Sequence, residues 1–127
     1  MKVYSSSLIS AGFIILAVIA MSKSGKPMTA EDVMKTFVGN TVVSESPEGT
    51  AYDFVQPDGT HIGLHPTHGK LKGSWHVDAE GETCVTWNYP NGAITNCSTV
   101  VKKGDDEFEW GDKKLTLQSG DVKNLGE

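Results

Sequence analysis

The chain's two cysteines, Cys84 and Cys97, are bracketed by residues that read as the two arms of one β-hairpin. Folding the segment from Thr83 to Cys97 about Pro90-Asn91 sets Cys84 opposite Cys97, Thr86 opposite Thr95 and Trp87 opposite Ile94. Directly opposed residues of an antiparallel pair have Cα atoms about 4.5–5.5 Å apart, a gap that a disulfide bridges. A cross-linked hairpin constrains the chain to a small β-rich fold in an oxidising compartment.

The amino terminus agrees. Lys2 supplies a positive charge ahead of an uncharged apolar run from Leu8 to Ala20, and Val18-Ile19-Ala20 suits a cut after Ala20. A run of this length is short of the roughly 20 residues that span a bilayer and fits the core of a secretory signal. No cysteine follows it to accept a lipid. The alternative is an uncleaved anchor that tethers the domain at the outer face of the membrane. Residues 1–20 are therefore expected to be a signal or anchor, 21–28 a linker, 29–120 the β-rich domain and 121–127 a frayed tail. A domain of this size buries somewhat over 60% of its unfolded surface, so a modest core and one disulfide together give a workable fold.

Charge narrows the partners. The formal net charge is −5, and all 11 basic residues are lysine. Nucleic-acid binding needs a basic surface and favours the bidentate arginine fork, so a nucleic-acid role is excluded.

After the linker Ser22–Met28, Thr29-Ala30-Glu31-Asp32 reads as a helix start, with a hydroxyl cap and acidic residues at the positive end of the dipole. Val33, Met34, Phe37 and Val38 make an apolar stripe on two turns, and Gly39 ends it. Beyond Asn40 the pattern changes to period two. Strands are expected near 41–45, 51–56, 60–64, 71–77, 83–89, 93–101, 107–110 and 114–118, separated by Gly-, Pro- and Asp-rich turns. The connections are too short for parallel crossovers. The chain is thus predicted to be mainly β: a short N-terminal helix on an antiparallel meander of about eight strands, closed as a small lipocalin-like barrel or left as a strongly bent sheet.

Several of these residues recur together. The helix Thr29-Ala30-Glu31-Asp32-Val33 leads into Phe37-Val38-Gly39-Asn40-Thr41-Val42. Tyr52, Pro57-Asp58-Gly59-Thr60, Gly73-Ser74-Trp75-His76-Val77, Cys84-Val85-Thr86-Trp87 and Cys97 follow in order. The set resembles a group of small exported bacterial proteins filed as domain of unknown function number nine hundred and ninety-five, over roughly residues 29–110. The resemblance implies an exported, β-rich single domain and carries no activity or catalytic residue. The histidine-rich segment 61–68 has no counterpart in that pattern.

All four histidines, His61, His65, His68 and His76, fall between positions 61 and 76. Imidazole is the commonest metal ligand, and three could hold Zn²⁺ or Cu²⁺ if a loop folded back, since Gly63 and Pro66 oppose a helix. Pairing 60–64 with 71–77 instead sets His61 near His76 and leaves His65 and His68 at the other end. The plain alternative is a set of solvent-exposed loop histidines; haem ligation and pH sensing are the remaining chemistries.

Trp75, Trp87 and Trp110 each fall in a strand. Tryptophan ordinarily builds core; in a small barrel the same residues, with Tyr52, are the candidates to line a cavity for one small molecule. Asp53 lies between Tyr52 and Phe54 and alternation against those aromatics points it outward. Asp105, Asp106, Glu107 and Glu109 read as a solvated acidic face. No nucleophile elbow or phosphate loop is present, and the paired cysteines leave no thiolate. No catalytic residues and no cofactor are predicted. The expected role is that of an exported, non-catalytic binding module for a small apolar molecule or an envelope protein, in the periplasm or secreted. The rival readings are a histidine-dependent metal or haem protein and a membrane-tethered accessory subunit of an envelope complex.

Overall fold

In the computed structural model, residues 26–126 are described, so the expected signal or anchor and most of the linker lie outside them. One helix, α1 (Ala30–Phe37), precedes nine strands: β1 (Thr41–Ser46), β2 (Gly49–Val55), β3 (Thr60–His65), β4 (Gly69–Val77), β5 (Thr83–Tyr89), β6 (Gly92–Ser98), β7 (Val100–Lys102), β8 (Glu107–Trp110) and β9 (Lys113–Gln118). All neighbours are antiparallel, in the order β6-β5-β4-β3-β2-β1-β9-β8-β7.

The two ends of that order, β6 and β7, are joined through Thr99 alone, so the sheet curls until its ends meet as a nearly closed barrel. The single strand expected at 93–101 therefore divides. Its first part pairs with β5 and its second with β8, and one straight strand cannot serve both sides of the seam. Across the seam, the Trp110 indole N–H donates to the Thr83 carbonyl at 2.9 Å and Gly111 N–H to the Thr99 carbonyl at 3.3 Å. The β5–β6 hairpin has the register expected from its sequence, Cys84 opposite Cys97, and the two are disulfide-bonded. Such a bond marks a compartment outside the reducing cytosol. Among the described residues no helix is long and apolar enough to cross a membrane.

Helix α1 is a plug. Thr29 Oγ1 accepts from Asp32 N–H at 3.1 Å, and Glu31 and Asp32 occupy the first turn, where negative charge meets unpaired N–H groups. A two-turn helix is unstable alone; this one is held by Val33 and Phe37, which are buried with Val55, Val100 and Phe108. Phe37 and Phe108 meet edge to face at 5.0 Å. Met34 lies off the stripe and is 48% exposed. Gly39, at φ +84°, turns the chain into β1 and donates to the Val55 carbonyl. At the linker's end, Met28 N–H bonds the Val100 carbonyl and Pro27 bridges Val101, so these residues cover the free edge of β7.

The carboxyl-terminal segment does not fray. Thr41 Oγ1 donates to the Gly120 carbonyl at 2.6 Å, and Asn40 Oδ1 accepts from Gly120 N–H at 3.0 Å. The Asp121 carboxylate accepts from Leu125 and Gly126 N–H, both at 2.7 Å, folding the segment into a turn that buries Leu125. Gly126 lies against the Phe54 ring, and the Lys123 ammonium stands 4.5 Å above the Tyr52 ring. This segment covers the outer face of β2.

Candidate functional site

That cover reverses the assignment of faces on β2. Tyr52 and Phe54 point outward beneath the terminal segment, and the alternating residues Ala51, Asp53 and Val55 line an internal cavity. Asp53 is thus inward, contrary to the expectation from its aromatic neighbours. The alternation holds, but on this strand the larger side chains serve an outer cluster.

The cavity has a volume of about 330 Å³. Val33 and Phe37 of α1, with Val55 and Val100, close one side; the wall carries Val42, Trp75, Val85, Trp87, Trp110 and Leu115. Exposed Ser46, Glu48, Pro66 and Lys113 line its rim, joined by His65 and Tyr89. The rim is built from the β1–β2, β3–β4 and β5–β6 ends and the start of β9, which the antiparallel registers bring to the same end of the barrel.

Two glycines create the inner wall. A Cβ on Gly63 would overlap the six-membered ring of Trp87, and one on Gly73 would overlap the His61 ring and the Thr86 carbonyl. Both glycines sit mid-strand, where the residue weakens a strand and signals a close approach. The Trp87 ring fills the space over Gly63, meets His61 edge-on at 4.9 Å and stacks on Tyr89 at 27°.

His61 is 1% exposed and both its ring nitrogens are engaged. Nε2 lies 2.7 Å from the Thr86 carbonyl oxygen, which only accepts, so Nε2 carries a proton and donates. Nδ1 lies 2.7 Å from Asp53 Oδ1. One proton occupies that second bond, as imidazolium with carboxylate or as imidazole with carboxylic acid. Burial pushes the Asp53 carboxyl above its ordinary range, although the hydrogen bond and charge of His61 pull against it. Burial lowers His61, but the Asp53 hydrogen bond and charge and the Thr86 carbonyl outweigh it, and the ring ends above its ordinary value. A 2.7 Å contact between Nδ1 and Oδ1 requires the shared proton, both directions favour keeping it, and with it the pair is neutral as a unit.

At the rim, His65 Nδ1 accepts from the backbone N–H groups of Thr67 and His68 at 3.0 and 3.2 Å, which leaves Nε2 as the protonated nitrogen, 3.7 Å from Glu48. His65 and His68 are 4.8 Å apart, and Tyr89 contacts both rings. His76 pairs in register with Cys84 on the opposite face of β4 from Gly73 and Trp75, so His61 and His76 do not come together as the sequence suggested. Strand parity separates them: His61 opposes Gly73, three residues from His76, and an odd spacing changes face. Among the described residues the one group of three possible metal donors within 4.8 Å is Asp78, Cys84 and Cys97. Its two sulfurs are bonded to each other and offer no thiolate.

The candidate aromatics divide similarly. Trp75, Trp87 and Trp110 line the cavity; Tyr52 is outside, and Tyr89 takes the fourth place. Trp75 and Trp110 donate their indole N–H groups to the carbonyls of Gln56 and Thr83. The Asp53–His61 pair was missed as a unit. Its available signal was the mid-strand pair Gly63 and Gly73, one on the histidine's own strand and one directly across from it. Asp105, Asp106 and Glu107 are exposed.

No protein-family model, no curated protein and no solved structure matches this chain.

Proposed function

We propose that this domain binds a small, largely apolar molecule inside the barrel, in the periplasm or after secretion, and releases it chemically unchanged. The observation that carries this reading is the cavity of about 330 Å³ walled by Trp75, Trp87 and Trp110. Ligand sites run from about 300 to 1,000 Å³ and combine apolar walls with a few placed polar groups. Closing a barrel around side chains ordinarily yields core; here α1 and Phe108 supply the packed core to one side, and the remaining interior is left for a guest. Burial of ligand surface against the indoles provides the binding free energy, at roughly 25 cal/mol for each Å² of apolar area removed from water.

The engagement of both His61 nitrogens also favours binding over catalysis or metal capture. Neither nitrogen has a free lone pair or exchangeable position facing the cavity. Titration of the purified domain with a panel of apolar ligands, followed by intrinsic tryptophan fluorescence, tests the reading. A saturable change for at least one ligand class, lost when Trp87 is replaced by Ala, is expected. Fluorescence indifferent to the whole panel would overturn it. Native mass spectrometry of material taken from its own cells would then give the mass of any resident guest.

A further inference from the structure

Most of the cavity wall is apolar; beneath the rim its polar side chains are Ser44, Asp53, His61 and Thr83, and Asp53 is the one that specifies the guest. This step rests on the reading that the cavity binds a small molecule. Asp53 Oδ1 is committed to His61, and among the described residues Oδ2 has no hydrogen-bond partner. The Asp53 side chain keeps 18% of its surface exposed while lining the cavity, so its second oxygen is accessible from the guest space. A guest that fills the cavity takes that oxygen out of water, and buried polar groups in folded proteins are normally satisfied, so the guest must itself supply the hydrogen bond.

The proton arrangement decides which group supplies it. With His61 Nε2 donating to Thr86, the single shared proton lies between Nδ1 and Oδ1. If it sits on the ring, Asp53 is a carboxylate and Oδ2 accepts. If it sits on Oδ1, Oδ2 is the carbonyl oxygen of a carboxylic acid and still accepts. In both arrangements the free oxygen asks for a donor. The pair as a whole is neutral, so an ammonium would give up its hydration with no net counter-charge in return. A hydroxyl or neutral N–H gives up far less.

The walls decide the body. Trp87, stacked with Tyr89, and the indoles of Trp75 and Trp110 make the wall aromatic. A cavity of about 150 Å³ in another protein holds one benzene, so about 330 Å³ suits a molecule of two fused rings, with room for its substituent. We propose that the guest is a neutral, flat ring compound bearing one hydroxyl or N–H donor, which docks on Asp53 Oδ2 while its rings lie against the indoles. His61 is a positioning residue: it holds the carboxyl so that Oδ2 faces inward.

The test uses four probes of nearly one size at neutral pH: naphthol, naphthalene, naphthyl methyl ether and naphthylmethylammonium. Titrations of the folded domain are followed by NMR through the tryptophan indole N–H signals. Naphthol is expected to bind about tenfold tighter than naphthalene or the ether, since a buried acceptor left unsatisfied costs about that much, and the ammonium is expected to bind more weakly than naphthol. In Asp53→Asn the preference persists, because the amide N–H₂ can donate to His61 Nδ1 and leave its oxygen facing inward. In Asp53→Leu it collapses to within about twofold while naphthalene still binds. Should the leucine variant fail to fold, the ligand series on the unaltered protein decides the matter alone. Equal binding of naphthol and naphthalene overturns the donor requirement and leaves the cavity reading intact. An ammonium that binds tightest overturns the neutral pair. Silence from all four probes overturns the cavity reading itself.

Discussion

Replacing Gly63 with Ala isolates the packing that shapes the cavity. Two effects oppose each other. A mid-strand glycine with ordinary extended backbone gains about 0.4–1 kcal/mol on conversion to alanine, through the reduced freedom of the unfolded chain. Against that, the new methyl would stand 3.2 Å from Trp87 Cζ2 and closer still to Cη2 and Cζ3. Those atoms belong to a rigid ring, held by His61 on its edge and Tyr89 on its face, so relief requires moving the whole indole. Overpacking of this kind costs about 1–3 kcal/mol. The clash wins, and a net loss of about 1–2 kcal/mol is expected, a fall in Tm of roughly 5–15 °C for a domain near 100 residues. Urea and thermal denaturation read the stability, and near-ultraviolet circular dichroism reads the displaced indole. Trp87→Leu removes the obstruction, so adding Gly63→Ala to it should cost nothing or stabilise, a coupling of at least about 1 kcal/mol. A Gly63→Ala variant as stable as the parent would refute the placement of Trp87 over Gly63.

Three further outcomes follow from the same geometry. The Asp53–His61 pair binds protons more readily folded than unfolded, since both groups lie above their ordinary values of 3.8 and 6.5. Above pH 6.5 the unfolded chain has released the histidine proton and the folded pair retains it, so stability falls as pH rises, by up to about 1.4 kcal/mol per pH unit until the folded pair lets go. Asp53→Asn should flatten that slope between pH 7 and 9, with Glu48, His65 and Lys113 at the rim unchanged in both proteins; parallel curves would refute the shared proton. Removing the disulfide as Cys84→Ala with Cys97→Ala should cost about 3 kcal/mol by the loop-entropy argument, with amide exchange rising first in β6, where no residue is buried; uniform acceleration across the barrel would contradict a local role. Leu125→Ala should cost about 2–3 kcal/mol in chemical denaturation, as for a buried leucine in a packed site, whereas a change below about 0.5 kcal/mol would mean the terminal segment contributes nothing.

The parts of the fold legible in the sequence are those governed by local chemistry. Thr29 caps the helix because a hydroxyl meets free N–H groups there, and Pro90-Asn91-Gly92 sets a hairpin whose register follows by counting. The division of the expected strand 93–101 was not legible, because it is caused by barrel closure: Ser98 and Val100 serve opposite sides of a seam that exists only when distant strands meet. Asp53 failed for a related reason. Alternation tells which residues share a face and not which face is inside, and Tyr52 and Phe54 are core-like residues that the terminal segment covers from outside. His76 failed on register: His61 lies opposite Gly73, an odd number of residues from His76, and so on the other face. Of the candidate site, the three tryptophans were legible as strand residues, and their convergence on one cavity needed the curvature of the sheet.

The placement of stabilising contacts explains how this small barrel keeps an interior unfilled. A cavity sacrifices packing, at about 24 cal/mol per Å³ when created by truncation, and a domain of marginal stability must recover that elsewhere. Here the recovery sites lie at one end of the guest space or outside it. Val33 and Phe37 of α1 close on Phe108, Leu125 caps the outer face of β2, and Cys84–Cys97 ties down a strand with no buried residue. The inner wall is consequently free to carry features that cost stability: two mid-strand glycines, an unpartnered Thr83 hydroxyl and a buried Asp53–His61 pair. None of these improves a core, and hydrophobic replacement of a buried ion pair is often neutral or stabilising. Their concentration around one cavity, with the packing contacts placed at its end and outside it, is the arrangement expected when the interior is kept for a ligand.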